Sequence, residues 1–267
     1  MNQKKKKVII FSLLIGMLLL LVIFSNVLVP YDPYEQNLSE ALQSPSMKHF
    51  MGTDRYGRDL FSRVLIGGRT TIFSSMFVVT VISFIGTLVG MFSGYFGGKW
   101  DSIMMRIADV FLAFPGMVFA IAVAGVLGGG INNAIIALAG ISWPKYARIA
   151  RSQVLTIKKR PYIQAAKLAG SSHGAILFIE ILPNMINMIL ITAILDIGTM
   201  MMEIAGLSFL GLGAKPPIPE WGSMMSNGRS MLQTAPWTIL APGFAIFITV
   251  VLFHLLGDAI RDFLDPK

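Results

Sequence analysis

The sequence predicts an all-α integral membrane protein with about six transmembrane helices. Hydrophobic residues make up 54% of the 267 residues, and the mean hydropathy is +0.68. Charged residues make up only 13%, about half of the roughly 25% that a soluble domain carries. The apolar residues also form several runs of about 20, the length that a helix needs to cross a bilayer.

Composition also excludes some classes of protein. The sequence contains no cysteine, so it offers neither a disulfide framework nor a thiolate metal site. The formal net charge is +8, but the basic residues lie in short stretches between apolar runs. That distribution is typical of a protein at a membrane surface rather than of a nucleic-acid-binding protein.

The first span is predicted at residues 8–29, after the four lysines at 4–7. This apolar run is longer than the roughly 7–15 residues of a signal-peptide core. Pro30-Tyr31-Asp32-Pro33 follows where a small-residue cleavage site would stand. We therefore expect an uncleaved span with its N-terminus in the cytoplasm.

The remaining apolar runs predict five further spans, at 70–93, 106–127, 131–149, 177–202 and 237–257. Gly128-Gly129-Gly130 predicts a short turn between the third and fourth spans. Pro144 and Pro183 are expected near helix ends, where neighbouring groups satisfy the freed carbonyls.

Basic residues predict the orientation of these spans. Segment 145–167 contains seven Lys or Arg residues and no acidic residue, which is typical of a cytoplasmic loop. Counting spans from a cytoplasmic N-terminus gives the same side. The loop 30–69 is then extracytoplasmic although it contains five basic residues. We expect those residues to pair with the five acidic residues of the same loop.

A short cytoplasmic helix is predicted between Pro161 and Gly170. Proline is favoured in the first helical turn, and glycine suits the left-handed position just after a helix. One face of this helix carries mostly small side chains at i, i+3, i+4 and i+7: Tyr162, Ala165, Ala166 and Ala169. Such a face lets another protein approach closely; the alternative is an ordinary connecting helix.

The segment 164–170, Gln-Ala-Ala-Lys-Leu-Ala-Gly, and the Ile181-Leu182-Pro183 that follows it resemble the EAA loop of ABC importer permeases. Gln164 replaces the glutamate of that motif, and Glu180 replaces its isoleucine. The resemblance implies a coupling helix that docks into a groove on an ATPase subunit. The implied coupling residues are Tyr162, Gln164, Ala165, Ala166, Ala169 and Gly170.

Motifs along the whole chain resemble the second permease of dipeptide, oligopeptide and nickel importers. They lie at 52–59, 106–109, 115, 206–213, 220–222, 257–262 and 264–266. The stretch 195–201 is most similar to the nickel-type members. The resemblance implies the type I permease fold. It divides the chain into an N-terminal span and extracytoplasmic loop at 1–69 and a core permease domain at 70–267, with the coupling loop at about 150–176.

The resemblance also implies a function and a set of partners. The chain is expected to form half of a pathway for nickel, as ion or chelate, in the bacterial cytoplasmic membrane; the alternative substrate is a di- or oligopeptide. The implied partners are a homologous second permease, two ATPase subunits, an extracytoplasmic binding protein and membrane lipid. ATP and Mg bind the ATPase subunits in this scheme, so no cofactor is expected on this chain. Both termini are expected in the cytoplasm.

Polar residues inside the predicted spans mark a candidate substrate path, because charge there is costly and by default functional. Asp196 and Glu203 are seven residues apart and share one helix face with Met200. His254 and Asp258 are spaced as an i, i+4 pair in the sixth span. Carboxylate, thioether and imidazole groups are all ligands for a divalent cation.

Each of these residues also has a structural alternative. Methionine commonly fills gaps between packed helices, and a histidine in a span often hydrogen-bonds a neighbouring helix. An acidic residue near the end of a span can be solvated or paired with arginine. We expect such a structural pair between Arg106 and Asp109, which are spaced i, i+3.

Two other classes of protein fit the sequence less well. An enzyme is disfavoured because the sequence contains no HExxH zinc helix and no GxSxG nucleophile elbow. Gly97-Gly98-Lys99 is followed by Trp100, so it is not a phosphate-binding loop, and ATP hydrolysis is expected on a partner. A secondary transporter usually shows inverted repeats, which are not evident here.

Overall fold

The computed structural model describes residues 3–264, and every named secondary-structure element in that range is a helix. In chain order they are α1 (Gln3–Ile23), α2 (Ser25–Leu28), α3 (Leu60–Phe96), α4 (Gly98–Ala113), α5 (Gly116–Val126), α6 (Ile131–Ile157), α7 (Pro161–Leu168), α8 (His173–Ala175), α9 (Leu182–Phe209), α10 (Trp221–Gly228) and α11 (Trp237–Leu264). A π-helical stretch, Ile176–Ile181, joins α8 to α9. Asp265 and Pro266 of the C-terminal motif lie outside the described residues.

Four of the described helices are long and apolar enough to cross a membrane: α1, α3, the continuous helix His173–Phe209, and α11. The bent pair α4 and α5 meets the same criterion when taken together. The all-helical membrane fold is therefore confirmed, with four or five such helices in the described chain where six were predicted.

The third and fourth predicted spans account for this difference. The third is broken because Pro115 disfavours a helical conformation at the preceding residue, and Phe114 is extended, with φ −96° and ψ 145°. The fourth lies in α6, whose hydropathy is lowered by residues such as Asn132 and Lys145. Pro144 lies in the interior of α6 and not near its end, which a helix tolerates when other groups re-satisfy the freed carbonyl.

The helix α3 begins ten residues before the predicted span at 70, because Asp59 caps it. The Asp59 Oδ2 atom accepts hydrogen bonds from the Ser62 backbone N–H at 2.8 Å and from the Ser62 hydroxyl at 2.7 Å. An aspartate in this position satisfies one of the unpaired N–H groups of the first helical turn.

The chain divides into two compact units: Met1–Phe77 with Ala120–Ala137 and Ile194–Lys267, and Val78–Phe119 with Leu138–Ala193. In the first unit, buried Trp221 anchors α10 to α3. Its indole N–H donates a 2.8 Å hydrogen bond to the Val64 carbonyl, and its ring lies against Gly67 and Gly68. The predicted triglycine turn also belongs to this unit and joins α5 to α6.

In the second unit, glycines of α3 allow α6 to pack at very short range. A Cβ atom at Gly86 would overlap the Trp143 carbonyl oxygen, and one at Gly90 would overlap the Ala147 carbonyl oxygen. Gly94 is the third member of this series at intervals of four residues. Small residues at this spacing let membrane helices approach backbone to backbone, so they fix the contact between these two helices.

Candidate coupling helix, substrate-path residues and polar loop

The short helix predicted from the sequence is present as α7, Pro161–Leu168. Gly170 follows it with φ +80°, which confirms the predicted left-handed cap. The Gly170 N–H donates to the Lys167 carbonyl at 3.1 Å, and the Ser171 N–H donates to the Ala166 carbonyl at 3.0 Å. This pair of hydrogen bonds is a Schellman motif, which ends the helix and turns the chain.

One side of α7 is buried and the other is exposed. Ile163 is fully buried. Of the predicted face, Tyr162, Ala165 and Ala169 are exposed, whereas Ala166 is half-buried. Leu168, which the small-residue pattern did not include, is 91% exposed. The helix therefore presents a large apolar side chain beside its small residues.

Side-chain contacts position α7 at both ends. The Gln164 side-chain amide donates a 2.9 Å hydrogen bond to the Lys158 carbonyl before the helix. The Lys167 ammonium group lies 5.5 Å from the centre of the Tyr95 ring, within range of a cation–π interaction. The Tyr95 hydroxyl is in turn 2.8 Å from Nδ1 of His173, just after α7.

Ion pairs of the same unit link α4 to α6. Arg151 binds Asp101 through two hydrogen bonds, of 2.6 and 2.7 Å. Asp109 pairs with Arg148 of α6. The predicted pair of Asp109 with Arg106 was wrong, because tertiary packing brings Arg148 to the carboxylate.

The candidate substrate-path residues are mostly packed inside their own unit. Asp196 is 4% exposed and Met200 is 5% exposed, and Glu203 is half-buried. His254 is exposed, and its ring lies against Gly198. Their role in a substrate path stays a prediction.

The structure does not pair His254 with Asp258. The nearest arginine to Asp258 is Arg261, at 4.0 Å, and no ion pair joins Asp258 to His254 within the described residues. Across residues 3–264, no three His, Cys, Asp or Glu side chains form a group that could hold a metal ion.

The loop before α3 is folded around Asp54. Its Oδ1 atom accepts hydrogen bonds from the backbone N–H groups of Tyr56 at 2.8 Å and Arg58 at 3.1 Å. Its Oδ2 atom accepts one from the Arg58 Nε at 2.7 Å and lies 3.6 Å from the Arg63 Nε. With the pair of Lys48 and Glu40, these contacts confirm the predicted pairing for three of the five basic residues of the loop. Arg55 donates instead to the Asn227 side-chain oxygen at 3.1 Å.

A buried histidine that the sequence did not single out holds the other side of this loop. His49 is buried, and its Nδ1 lies 2.9 Å from Asp59 Oδ1. Its Nε2 lies 3.5 Å from Glu40. A hydrogen bond with Lys48 lowers the pKa of the Glu40 carboxyl.

Glu220 is a second buried group. From the sequence it was included in the motif at 220–222 but was given no separate role. It caps α10: its oxygens accept hydrogen bonds from the N–H groups of Gly222 at 2.9 Å and Ser223 at 2.8 Å. The Thr71 hydroxyl donates a further bond at 3.2 Å. Burial raises the pKa of the Glu220 carboxyl, against the opposing effect of these donors.

Comparison with known proteins identifies the family. Residues 86–267 match the family model described as "Binding-protein-dependent transport system inner membrane component". The dipeptide transport system permease protein DppC of Alkalihalophilus pseudofirmus is 42% identical, over 99% of this chain and 87% of that protein. The glutathione transport system permease protein GsiD of Escherichia coli is 44% identical, over 96% of this chain and 85% of that protein.

Two further similarities agree with these. The probable D,D-dipeptide transport system permease protein DdpC of Escherichia coli is 43% identical, over 96% of this chain and 86% of that protein. The fold resembles a chain of the inward-facing MetNI methionine ABC transporter, with a TM-score of 0.61 and 17% identity, covering 77% of this chain and 98% of that chain. The chain therefore belongs to the binding-protein-dependent transport system inner membrane components, the permease family of ABC importers.

Proposed function

We propose that this permease forms half of the translocation pathway of an ATP-driven importer for short peptides. The observation that carries the substrate class is the set of relatives: three proteins at 42–44% identity are named for dipeptides, glutathione and D,D-dipeptides. All three substrates are short peptides with free carboxylates.

The relatives therefore favour the alternative substrate of the sequence analysis over nickel. The contacts of the nickel-like stretch 195–201 agree with this choice. Asp196, Met200 and Met201 are all buried, so the two methionines act as packing groups of α9. Since no group of three metal ligands exists among residues 3–264, this proposal contains no metal site.

In this proposal α7 couples the permease to an ATPase subunit. A leucine that is 91% exposed on a capped, eight-residue helix is the kind of side chain that another protein covers. Burying such a side chain contributes about 1.5–3 kcal/mol.

Two ATPase subunits bind ATP and Mg and hydrolyse the nucleotide. A homologous permease supplies the other half of the pathway, and an extracytoplasmic binding protein delivers the peptide.

The expected topology follows from the same proposal. The basic segment 145–167, which includes α7, faces the cytoplasm with both termini, and the loop 30–59 faces the opposite side. The chain has no cysteine, so single cysteines at positions 45 and 160 can be labelled in intact cells with an impermeant reagent. Labelling at 45 and protection at 160 are the expected results, and the reverse pattern would overturn this topology.

Transport by the assembled complex tests the function. The two permeases and two ATPases are reconstituted in vesicles, and uptake of labelled dialanine and of nickel is measured with loaded binding protein. Uptake of dialanine should require ATP, and vesicles that contain this chain alone should show none. Uptake of nickel without uptake of peptide would reverse the substrate assignment. Uptake by the chain alone, driven by an ion gradient, would indicate a secondary transporter.

A further inference from the structure

A cavity of about 150 Å³ with two arginines in its wall lies in the first unit, beside the loop that precedes α3. Arg58, Arg63 and Ser223 line it and are buried. Gln36 and Pro216 also line it and are exposed, so the cavity has buried cationic walls and an exposed rim. No carboxylate is among the described residues that line it.

The two arginines carry more positive charge than the loop neutralises. Arg58 is 6% exposed and Arg63 is 4% exposed, yet both lie against the same carboxylate, Asp54. A buried charge is stable only when it is paired and hydrogen-bonded. One carboxylate between two guanidinium groups leaves one buried positive charge in excess.

Neighbouring acidic groups do not supply the missing charge. The two oxygens of Asp54 already accept three hydrogen bonds. Glu220 precedes Ser223 in the chain, but its oxygens are taken by the N–H groups of α10 and by Thr71. Among the described residues, Asp54 is therefore the only carboxylate that pairs with Arg58 and Arg63.

Arg58 has donors to offer such an acceptor. Its Nε donates to Asp54 and its guanidinium lies 4.6 Å from the centre of the Tyr56 ring. Within residues 3–264, its two terminal nitrogens have no hydrogen-bond acceptor. Arg63 uses one terminal nitrogen, Nη1, which donates to the Pro33 carbonyl at 2.7 Å. The free N–H groups of a guanidinium match the two oxygens of a carboxylate.

We propose that this cavity binds a carboxylate group, with Arg58 as the principal donor and Arg63 as the second cation. A single carboxylate would cancel the excess charge of one. If the chain imports peptides, as proposed above, the free C-terminal carboxylate is the cargo group with this chemistry. Recognition of that group alone would not depend on the side chains of the peptide.

Binding to the purified full-length chain in detergent tests the site without any transport step. Dialanine and dialanine amide, which lacks the carboxylate, are titrated by calorimetry at matched ionic strength. Dialanine should bind, and the amide should bind at least about tenfold more weakly, because a hydrogen bond to a charged group is lost. Equal binding of the two compounds, or binding of neither, would overturn a peptide C-terminus as the ligand.

Variants assign the effect to the cavity. Arg58→Gln leaves the contact between Asp54 and Arg63 in place and should weaken dialanine binding about tenfold. Arg58→Lys keeps the charge without the fork of donors and should give a smaller loss. Lys48→Gln, which removes a charge from an exposed position of the same loop, should bind as the wild type does. Unchanged affinity in both Arg58 variants would refute the site.

The carboxylate could also be an acidic side chain of the binding protein, and a second titration separates the two sources. If ligand-free binding protein binds the chain and dialanine does not, and only the Arg58 variants weaken that binding, the carboxylate belongs to the binding protein. If neither titration depends on Arg58, the carboxylate site is wrong. Because no measurement here uses ATP or uptake, the proposed transport function can fail while the site stands, and the reverse also holds.

Discussion

The loop before α3 and the helix α7 differ in how far their side chains are buried. In the loop, Asp54, Arg58 and His49 are buried or nearly so and are bound to other residues of the same chain. On α7, only Ile163 is fully buried, while Leu168 is almost fully exposed. In the loop most of the charged groups find partners within the chain, whereas the exposed residues of α7 are the ones that the proposed function assigns to contact with another protein.

The two regions also differ in what stabilises them. The loop is held by charged hydrogen bonds whose loss leaves buried charges, so each one is costly to break. An eight-residue helix is too short to be stable alone in water. Its conformation depends on the Schellman motif at Gly170, on buried Ile163 and on the contact of Lys167 with Tyr95. Removing Asp54, the carboxylate that Arg58 and Arg63 share, should therefore lower the stability of the protein, and charges added to the exposed face of α7 should chiefly affect coupling.

The largest loss of stability is expected for Asp54→Ala. Removing this carboxylate leaves Arg58 and Arg63 buried without their shared partner, and breaking a buried ion pair costs about 3–5 kcal/mol. Thermal unfolding of the purified chain in detergent measures the loss. Glu35→Ala is the matched control, because Glu35 is an exposed acidic residue of the same loop. Equal stability of the two variants would show that the loop is not held by its charges.

A smaller loss is expected for Gly170→Ala, at the end of α7. Gly170 has φ +80°, and a side chain in this left-handed conformation costs about 1–2 kcal/mol. Gly174→Ala is the matched control, since a Cβ atom at Gly174 meets nothing within 4 Å and its φ is not positive. Thermal unfolding should separate the two variants. If they are equally stable, Gly170 is not required for the cap.

The smallest effect is expected from Glu220, a buried carboxyl that is held by N–H and hydroxyl donors and not by an arginine. Burial raises its pKa above the ordinary value of 4.5. The folded state then binds the proton more tightly than the unfolded chain does, so this stabilisation is complete below about pH 4.5 and is lost as the pH rises through the folded-state pKa.

Thermal unfolding between about pH 4 and pH 8 measures this contribution. The wild type should lose stability with rising pH, beyond the changes that other groups cause, and Glu220→Gln should lack that part of the loss. The same slope in both proteins would mean that Glu220 does not titrate differently in the folded state.

Much of the fold could be predicted because its signals are local. Pro161 and Gly170 mark the ends of α7, and apolar runs mark α1 and α11. The predicted spans failed where packing overrides local pattern. Pro144 was expected near the end of a helix, but α6 continues through it to Ile157. The spacing of the glycines at 86, 90 and 94 is a sequence signal of close helix packing. The sequence does not indicate which helix they pack against, and the folded chain shows that it is α6.

The candidate sites show the same division between local and tertiary information. The cap of α7 was predicted, but the exposure of Leu168 was not. That exposure depends on which face of α7 packs against the rest of the chain, and the folded chain buries the face with Ile163. The loop was expected to pair its charges, and three of its five basic residues do so. Which charges pair depends on the folded chain, as Asp109 illustrates by binding Arg148 and not its near neighbour Arg106.

The docking of α7 on an ATPase subunit is tested most directly by adding one negative charge at either of two positions of the same helix. Leu168→Glu places the charge on the exposed apolar surface. Gln164→Glu, also at an exposed position, restores the glutamate of the EAA motif and is the matched control. ATPase retention on the purified permease complex and ATP hydrolysis with loaded binding protein are both measured. Leu168→Glu should lose ATPase retention and ATP hydrolysis while the chain still inserts in the membrane, and Gln164→Glu should keep both activities. Full ATPase retention and full ATP hydrolysis in Leu168→Glu would contradict the docking of α7.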